Sequence, residues 1–365
     1  MRITDVNTVL LTGPCTNDPY LSECRQFRSA AFIEIHTDTE HVGLGETYNG
    51  YRCAELIPDA VSFFTPILLG QSVDDIPSLF ARMYHCENFW CRTGFGLTVL
   101  NGIEAALWDL KGKLEGKPVC QLLGGLRHEA LDCYATGGPS NYPKEHLARK
   151  IDFYLSLGFR AFKIASGSLT QGGDESHDSK HTAADFEADK MQFVRHHIGN
   201  EIKVCLDGHM SNGPPADVIW DLEIATSVME AVEPFDVFFF EEPLHYDDPW
   251  GYAELCKRSK VPIAGGECLT GIPEWRVFIE KGSFDVGQPD ASYTGGLELC
   301  LKVAQLLHEQ DRKIATHAWG AGGSFMQNLH LGFAAPNTTI LETPPAYGPL
   351  HSEIIGDSFV MKEGR

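Results

Sequence analysis

Residues 203–211 read KVCLDGHMS. Val204, Cys205 and Leu206 begin this stretch as a buried strand, and the polarity then changes abruptly to Asp207-Gly208-His209. Positions i and i+2 of a strand share one side. A carboxylate and an imidazole are therefore expected to face one point at the end of the strand. Seven other runs have a similar build: LDCYATGG (131–138), RAFKIA (160–165), DVFFFEEP (236–243), VPIAGGE (261–267), FDVGQPD (284–290), KIATHA (313–318) and TTILE (338–342). All are near-continuously apolar and alternate with helical stretches, the pattern of parallel strands covered by helices. Eight such units predict a TIM barrel with some helices irregular. A doubly wound open sheet is the alternative, but no GxGxxG follows the first strand.

Seven of the eight runs end in chemistry: Lys163; Asp207 with His209; Glu241 with Glu242; Glu267; Asp290; His317; and Glu342. The C-terminal ends of barrel strands line one mouth, where catalytic groups gather. One acid after a strand is commonly a helix cap; the set is what carries meaning. Asp207, Glu241 and Glu267 come from three consecutive strands, and three converging carboxylates need a counter-charge. All-oxygen donors favour Mg²⁺, or Mn²⁺, over zinc. The competing reading is three separate ion pairs. Glu242 should alternate away from Glu241 and bond the barrel wall. Asp290 and His317 end neighbouring strands, so the carboxylate is placed to fix the tautomer of the imidazole and raise its basicity. No GxSxG accompanies them, which argues against an acyl-transfer triad.

Residues 1–125 have a different texture. AAFIEIHTD and VGLGETY are expected as strands joined by a polar turn, followed by a helix in VLNGIEAALWDLKGKLEGKPVCQLLGG, where Ile103, Leu107, Leu110 and Leu114 recur at helical spacing. Lys117-Pro118 and Gly124-Gly125 then break the chain. The expected organisation is an α+β capping domain over 1–125, a barrel over 126–342 and a return segment over 343–365. The polar stretch SGSLTQGGDESHDSKHTAADFEAD carries His177 and His181, either in a lid or, as the loop composition favours, on a solvated excursion.

The 365 residues, 43% of them hydrophobic, can build a substantial core. The formal net charge of −21 argues against nucleic acid and anionic membranes as partners, and requires a locally positive pocket for any anionic substrate. No apolar run reaches membrane-spanning length, and MRITDVNTVL lacks a signal-peptide pattern. The 11 cysteines are odd in number, scattered and without CxxC, which points to reduced thiols in a cytoplasm.

The motifs Phe162-Lys163-Ile164-Ala165, Leu206-Asp207-Gly208-His209, Glu241-Glu242-Pro243, Gly266-Glu267, Gln288-Pro289-Asp290, Thr316-His317 and Leu341-Glu342 stand in an order that resembles the mandelate racemase branch of the enolase superfamily. The resemblance covers nearly the whole chain. It implies an α/β fold, a modified TIM (β/α) barrel with an N-terminal α+β capping domain, and a Mg²⁺ site of Asp207, Glu241 and Glu267. It implies Asp290 and His317 as the base dyad, Lys163 against the substrate carboxylate, and a protonated Glu342 sharing the charge of an enediolate. Tyr48, Tyr51, Arg25 and Arg52 of the first domain, together with Trp319, are the implied substrate-contacting residues. A small carboxylate is the implied partner, and a homo-oligomer, dimer or octamer, the implied assembly. Relatives of this kind run on beyond IIGDSFVMKEGR, which implies altered closure of the site.

Ala165 departs from the Lys-x-Lys of racemases, while Asp207-x-His209 is similar to the galactonate and mannonate dehydratases. The resemblance thus implies an acid sugar dehydratase in which His209 protonates the departing hydroxyl. A second reading makes His209 an orienter of a ligand. An epimerase, racemase or cycloisomerase using the same enediolate, and a non-catalytic metal-binding homologue, remain the alternatives.

Overall fold

The computed structural model describes residues 1–21, 23–137, 143–167, 180–211 and 219–365, the side chains of residues 23, 24 and 180 excepted. Strands β1 (Ile3–Pro14), β2 (Phe27–Thr37) and β3 (Val42–Thr47) form an antiparallel sheet in the order β1-β2-β3. Eight parallel strands then close a barrel: β4 (Cys133–Thr136), β5 (Ala161–Ala165), β6 (Lys203–Asp207), β7 (Val237–Glu241), β8 (Ile263–Gly265), β9 (Val286–Gly287), β10 (Lys313–Thr316) and β11 (Thr338–Thr343). Each of the eight apolar runs falls on one of these strands, and a helix follows each strand.

The barrel interior follows directly from strand periodicity. Tyr134, Ala161, Cys205, Phe239, Ala264, Val286, Ala315 and Ile340, one from each strand, make a single buried cluster. Two residues further along, the same face carries Thr136, Lys163, Asp207, Glu241, Gly266, Gln288, His317 and Glu342. An apolar layer thus floors a polar one, and the polar layer is the mouth. β8 contributes its carboxylate one residue late. Gly266 has φ of 115°, and a Cβ there would stand 2.3 Å from the Trp275 ring, so only glycine makes the turn that presents Glu267.

The N-terminal sheet packs on the helix Gly94–Glu115 through glycines. A Cβ at Gly43 or Gly45 would lie 2.1 Å from the carbonyl oxygen of Ala106 or Gly102, so the VGLGE pattern lets strand backbone rest on helix backbone. Ile103, Leu107 and Leu110 are fully buried, as their spacing predicts; Leu114 is 37% exposed, because it lies in the last turn before Gly116 ends the helix in the left-handed conformation. β1 was not foreseen. Its sequence, ITDVNTVLLTGP, does not alternate apolar and polar residues, and its burial does not alternate regularly either. The stretch 166–189 also differs from a plain excursion: a helix, Lys180–Ile198, begins within it and leaves His181 exposed, while His177 lies outside the described residues.

Two buried carboxylates dock sheet and barrel. Glu104 of the helix Gly94–Glu115 accepts the N–H groups of Leu297 at 2.5 Å and Glu298 at 3.2 Å, capping the barrel helix Leu297–His308. Glu46 of β3 does the same for the helix Gly322–Ala334, accepting from Ala321 and Ser324 at 2.8 Å each. Burial pushes the Glu104 carboxyl up to about 8, against the pull of its two N–H donors. A folded state that holds this proton more tightly than the unfolded chain loses stability as pH rises through that value. The melting-temperature advantage of the wild type over Glu104→Gln should therefore shrink from pH 5 to pH 9; a gap that widens with pH would contradict this assignment.

Candidate active site

The mouth opens into a cavity of about 590 Å³. Its lining includes Lys163, Asp207, His209, Glu267, His317 and Glu342 from the barrel. The expected substrate-contacting residues Arg25, Tyr48, Tyr51, Arg52 and Trp319 line it as well. Glu241 and Asp290 lie behind the wall, each fully buried.

Lys163 is the centre of the charge distribution. Its Nζ lies 2.9 Å from Asp207, 2.7 Å from Glu241 and 3.3 Å from Glu342. Burial works to strip its proton, but these three carboxylates hold it well above the usual lysine range. Burial likewise opposes ionisation of Asp207, yet His209 and Lys163 keep it well below the carboxylate range. Glu241 goes the other way: burial and the neighbouring Asp207 push it well above that range. One ammonium does not balance three carboxylates.

Glu342 corrects an expectation. Burial favours its neutral form, but Lys163, His317 and the Ala318 N–H at 2.6 Å lower it below the ordinary value, which runs against the protonated form the resemblance implies.

The Asp290–His317 contact is as the strand ends predict. His317 Nδ1 donates to Asp290 Oδ2 at 2.7 Å, which turns Nε2 toward Glu267, 3.4 Å away. The other oxygen of Asp290 is saturated: Ser292 N–H and Oγ–H donate at 2.7 Å, and Asn328 Nδ2 donates at 2.8 Å. Burial would lower the imidazole, but Glu267, Glu342 and Asp290 push it up to about 10. The Tyr48 ring stands 5.9 Å from the imidazole and 5.3 Å from Tyr293, which sequence reasoning did not single out.

His209 reaches the site differently from a simple strand alternation. β6 ends at Asp207, and His209 has φ of 47°, a left-handed conformation that is costly for a histidine. Gly208 N–H donates to the Glu241 carbonyl, and Met210 N–H to that of Glu242, fixing the turn. The imidazole Nδ1 then sits 2.7 Å from Asp207 Oδ1. Glu242, with φ of 44°, leaves the mouth layer as expected and is hydrogen-bonded by Tyr246.

The three expected metal ligands are not gathered into one cluster. Asp207 and Glu241 close on Lys163, while Glu267 lies by His317, and its carboxylate, that of Glu242 and the Cys268 thiol come within 4.8 Å of one another. The residues nonetheless suit a hard divalent cation. Glu241 Oε1 is buried without a hydrogen-bond partner among the described residues, and so are both polar atoms of the Gln288 side chain, two strands away in the mouth layer. The donors are carboxylate oxygens, and their charge exceeds what Lys163 offsets.

The family profile "Mandelate racemase / muconate lactonizing enzyme, N-terminal domain" matches residues 19–124, and "Enolase C-terminal domain-like" matches residues 146–365. The chain belongs to the mandelate racemase / muconate lactonizing enzyme group of the enolase superfamily, a superfamily of enzymes whose members bind divalent metal. It is 27% identical to an arabinonate dehydratase of Saccharolobus solfataricus, over 91% of this chain and 83% of that one. It is 30% identical to a D-galactonate dehydratase of Klebsiella pneumoniae, over 85% of this chain and 77% of that one. Among solved structures, the 3,6-anhydro-D-galactonate cycloisomerase of Zobellia galactanivorans superposes with a TM-score of 0.83 at 25% identity, covering 100% of this chain and 93% of that one.

Removing the central cation should be severe. Lys163→Met leaves three buried carboxylates without their ammonium, and a broken buried pair typically costs about 3–5 kcal/mol. Urea denaturation of the metal-free proteins should show a loss of that order, and a variant as stable as wild type would refute the central place given to Lys163.

Proposed function

We propose that this chain is a cytoplasmic, Mg²⁺-dependent dehydratase of an aldonic or aldaric acid, converting it to a 2-keto-3-deoxy acid. The observation that carries the reading is the Asp290–His317 dyad, turned toward the same cavity as Lys163, Glu342 and His209. The dehydratase relatives at 27% and 30% identity support it.

Asp207, Glu241 and Glu267 would hold the ion, which when bound supplies positive charge to the substrate carboxylate as C2 loses its proton. The residues of the chain do the rest. Asp290 holds Nδ1–H of His317, leaving Nε2 to take the C2 proton. Lys163 stands where negative charge grows on the carboxylate, and Glu342 keeps that ammonium in place. With its Nδ1 on Asp207, His209 has Nε2 to donate to the C3 hydroxyl. The C3–O bond breaks, the hydroxyl leaves as water with the proton of His209, and the enol tautomerises to the ketone. Ala165, buried beside Asp207 in the strand register, offers no second base on β5, which disfavours two-base racemisation. Likeness to a cycloisomerase favours a second reading: after the same proton abstraction the C3–O bond of a cyclic substrate breaks, its oxygen stays in the molecule, and no water is lost.

A carbonyl assay against a library of aldonic and aldaric acids with Mg²⁺ tests the proposal; a 2-keto-3-deoxy product is expected, and its absence across the library contradicts it. His317→Asn should lower turnover by about 10²–10⁴-fold with substrate binding retained. His209→Asn separates the two chemistries. Solvent deuterium should still enter C2 while keto-acid formation fails; retained dehydration would remove His209 from the acid role.

A further inference from the structure

We infer that Glu46, a residue of the N-terminal sheet, is a positioning residue for the His317 base, acting through the helix Gly322–Ala334 and the Ser324–Ser292–Asp290 hydrogen-bond chain. The inference rests on reading His317 as the base, and it assigns the sheet a part in the chemistry beyond covering the mouth.

The chain of contacts is continuous. Glu46 Oε1 accepts from Ala321 N–H and Oε2 from Ser324 N–H, and the Glu46 backbone exchanges two further hydrogen bonds with the Gln327 side chain, at 3.0 and 3.2 Å. The helix start is pinned in rotation and along its axis by a strand of the other layer. Ser324 Oγ lies 2.8 Å from Ser292 Oγ, which donates to Asp290 Oδ1 at 2.7 Å. Asn328, one turn on and on the same helix face, donates to that oxygen at 2.8 Å and accepts the Ala291 N–H at 2.8 Å. Every one of these residues is buried. Asp290 Oδ1 is thereby fixed by Asn328 of that helix and by Ser292, whose hydroxyl meets Ser324 of the same helix, and Oδ2 is left for His317.

The cradle is shaped for Glu46. A Cβ at Gly320 would stand 2.9 Å from its carboxylate, and one at Gly323 would stand 2.9 Å from its Cβ. The same strand end reaches the site directly: the N–H of Tyr48, two residues beyond Glu46, donates to the Ser292 carbonyl at 3.1 Å, and its ring flanks His317. A sheet that docks also sets the angle of the base.

A capping role alone would cost stability and leave the imidazole where it is. A positioning role moves the imidazole. The test uses Glu46→Gln, which sets an amide N–H against a helix N–H, and Ser324→Ala, which removes only a hydroxyl and stands in if the first variant fails to fold. In ¹⁵N-histidine-labelled protein, the Nδ1 proton of His317 should leave its strongly hydrogen-bonded position and exchange with water faster in both variants. With an acid that wild type turns over, kcat should fall about 10–100-fold with KM little changed. The double variant should be no worse than the poorer single one, since both lie on one path. An unchanged His317 signal in the folded variants overturns the inference, whatever happens to stability. The signal is read without substrate, so a wild type that processes no acid would defeat the proposed function and leave this test standing.

Discussion

The barrel mouth holds more negative charge than its own residues neutralise, and the rest of the structure is arranged around that excess. Asp207, Glu241 and Glu342 crowd one ammonium, and Glu267 and Asp290 flank one imidazole. Two unit charges 4 Å apart interact by about 4 kcal/mol at an effective dielectric near 20. Such repulsion persists only where something offsets it. Lys163 offsets part. Backbone and hydroxyl donors offset more, on Glu342 through Ala318 and on Asp290 through Ser292 and Asn328. What remains falls on Glu241, whose carboxyl is driven toward its neutral form, and on His317, which is driven toward its charged one. Neither state suits a base beside an electrophilic centre; a divalent cation held by Asp207, Glu241 and Glu267 would offset both.

The scaffold explains how so costly an arrangement is held. The apolar layer of one residue per strand leaves the polar layer no room to sink, and the helices behind the strands fix its members from outside. Two of those helices, which follow β9 and β10, begin on carboxylates that belong to the N-terminal sheet and its helix. The two parts of the chain therefore share helix termini as well as apolar contact, and the dyad sits just where they share them.

Much of this was legible in the sequence. Eight apolar runs with polar ends mark the barrel, because a parallel strand is buried on both faces and only its end meets the cavity. The members of the mouth could be read at the strand ends for the same reason. Glu46 and Glu104 could not: a carboxylate that caps a helix 193 residues away, as Glu104 does, or 275, as Glu46 does, has no local signature, and in sequence it reads as surface charge. His209 was placed in the site for a reason the structure replaces, a left-handed turn in place of strand alternation. The charge state of Glu342 depends on which cations surround it, and spacing along the chain does not convey that. β1 lacks the clean alternation that identifies a strand.

The claim that the mouth is built for a divalent cation is tested most directly by titrating Mg²⁺ into metal-free protein in a calorimeter, in buffers of different ionisation heat. One ion per chain should bind. Binding should release protons, since the surroundings of Glu241 and His317 raise the proton affinity of both and an ion would oppose that, and the signal should be lost in Glu241→Gln. No binding at millimolar Mg²⁺, or binding indifferent to Glu241→Gln, would contradict it.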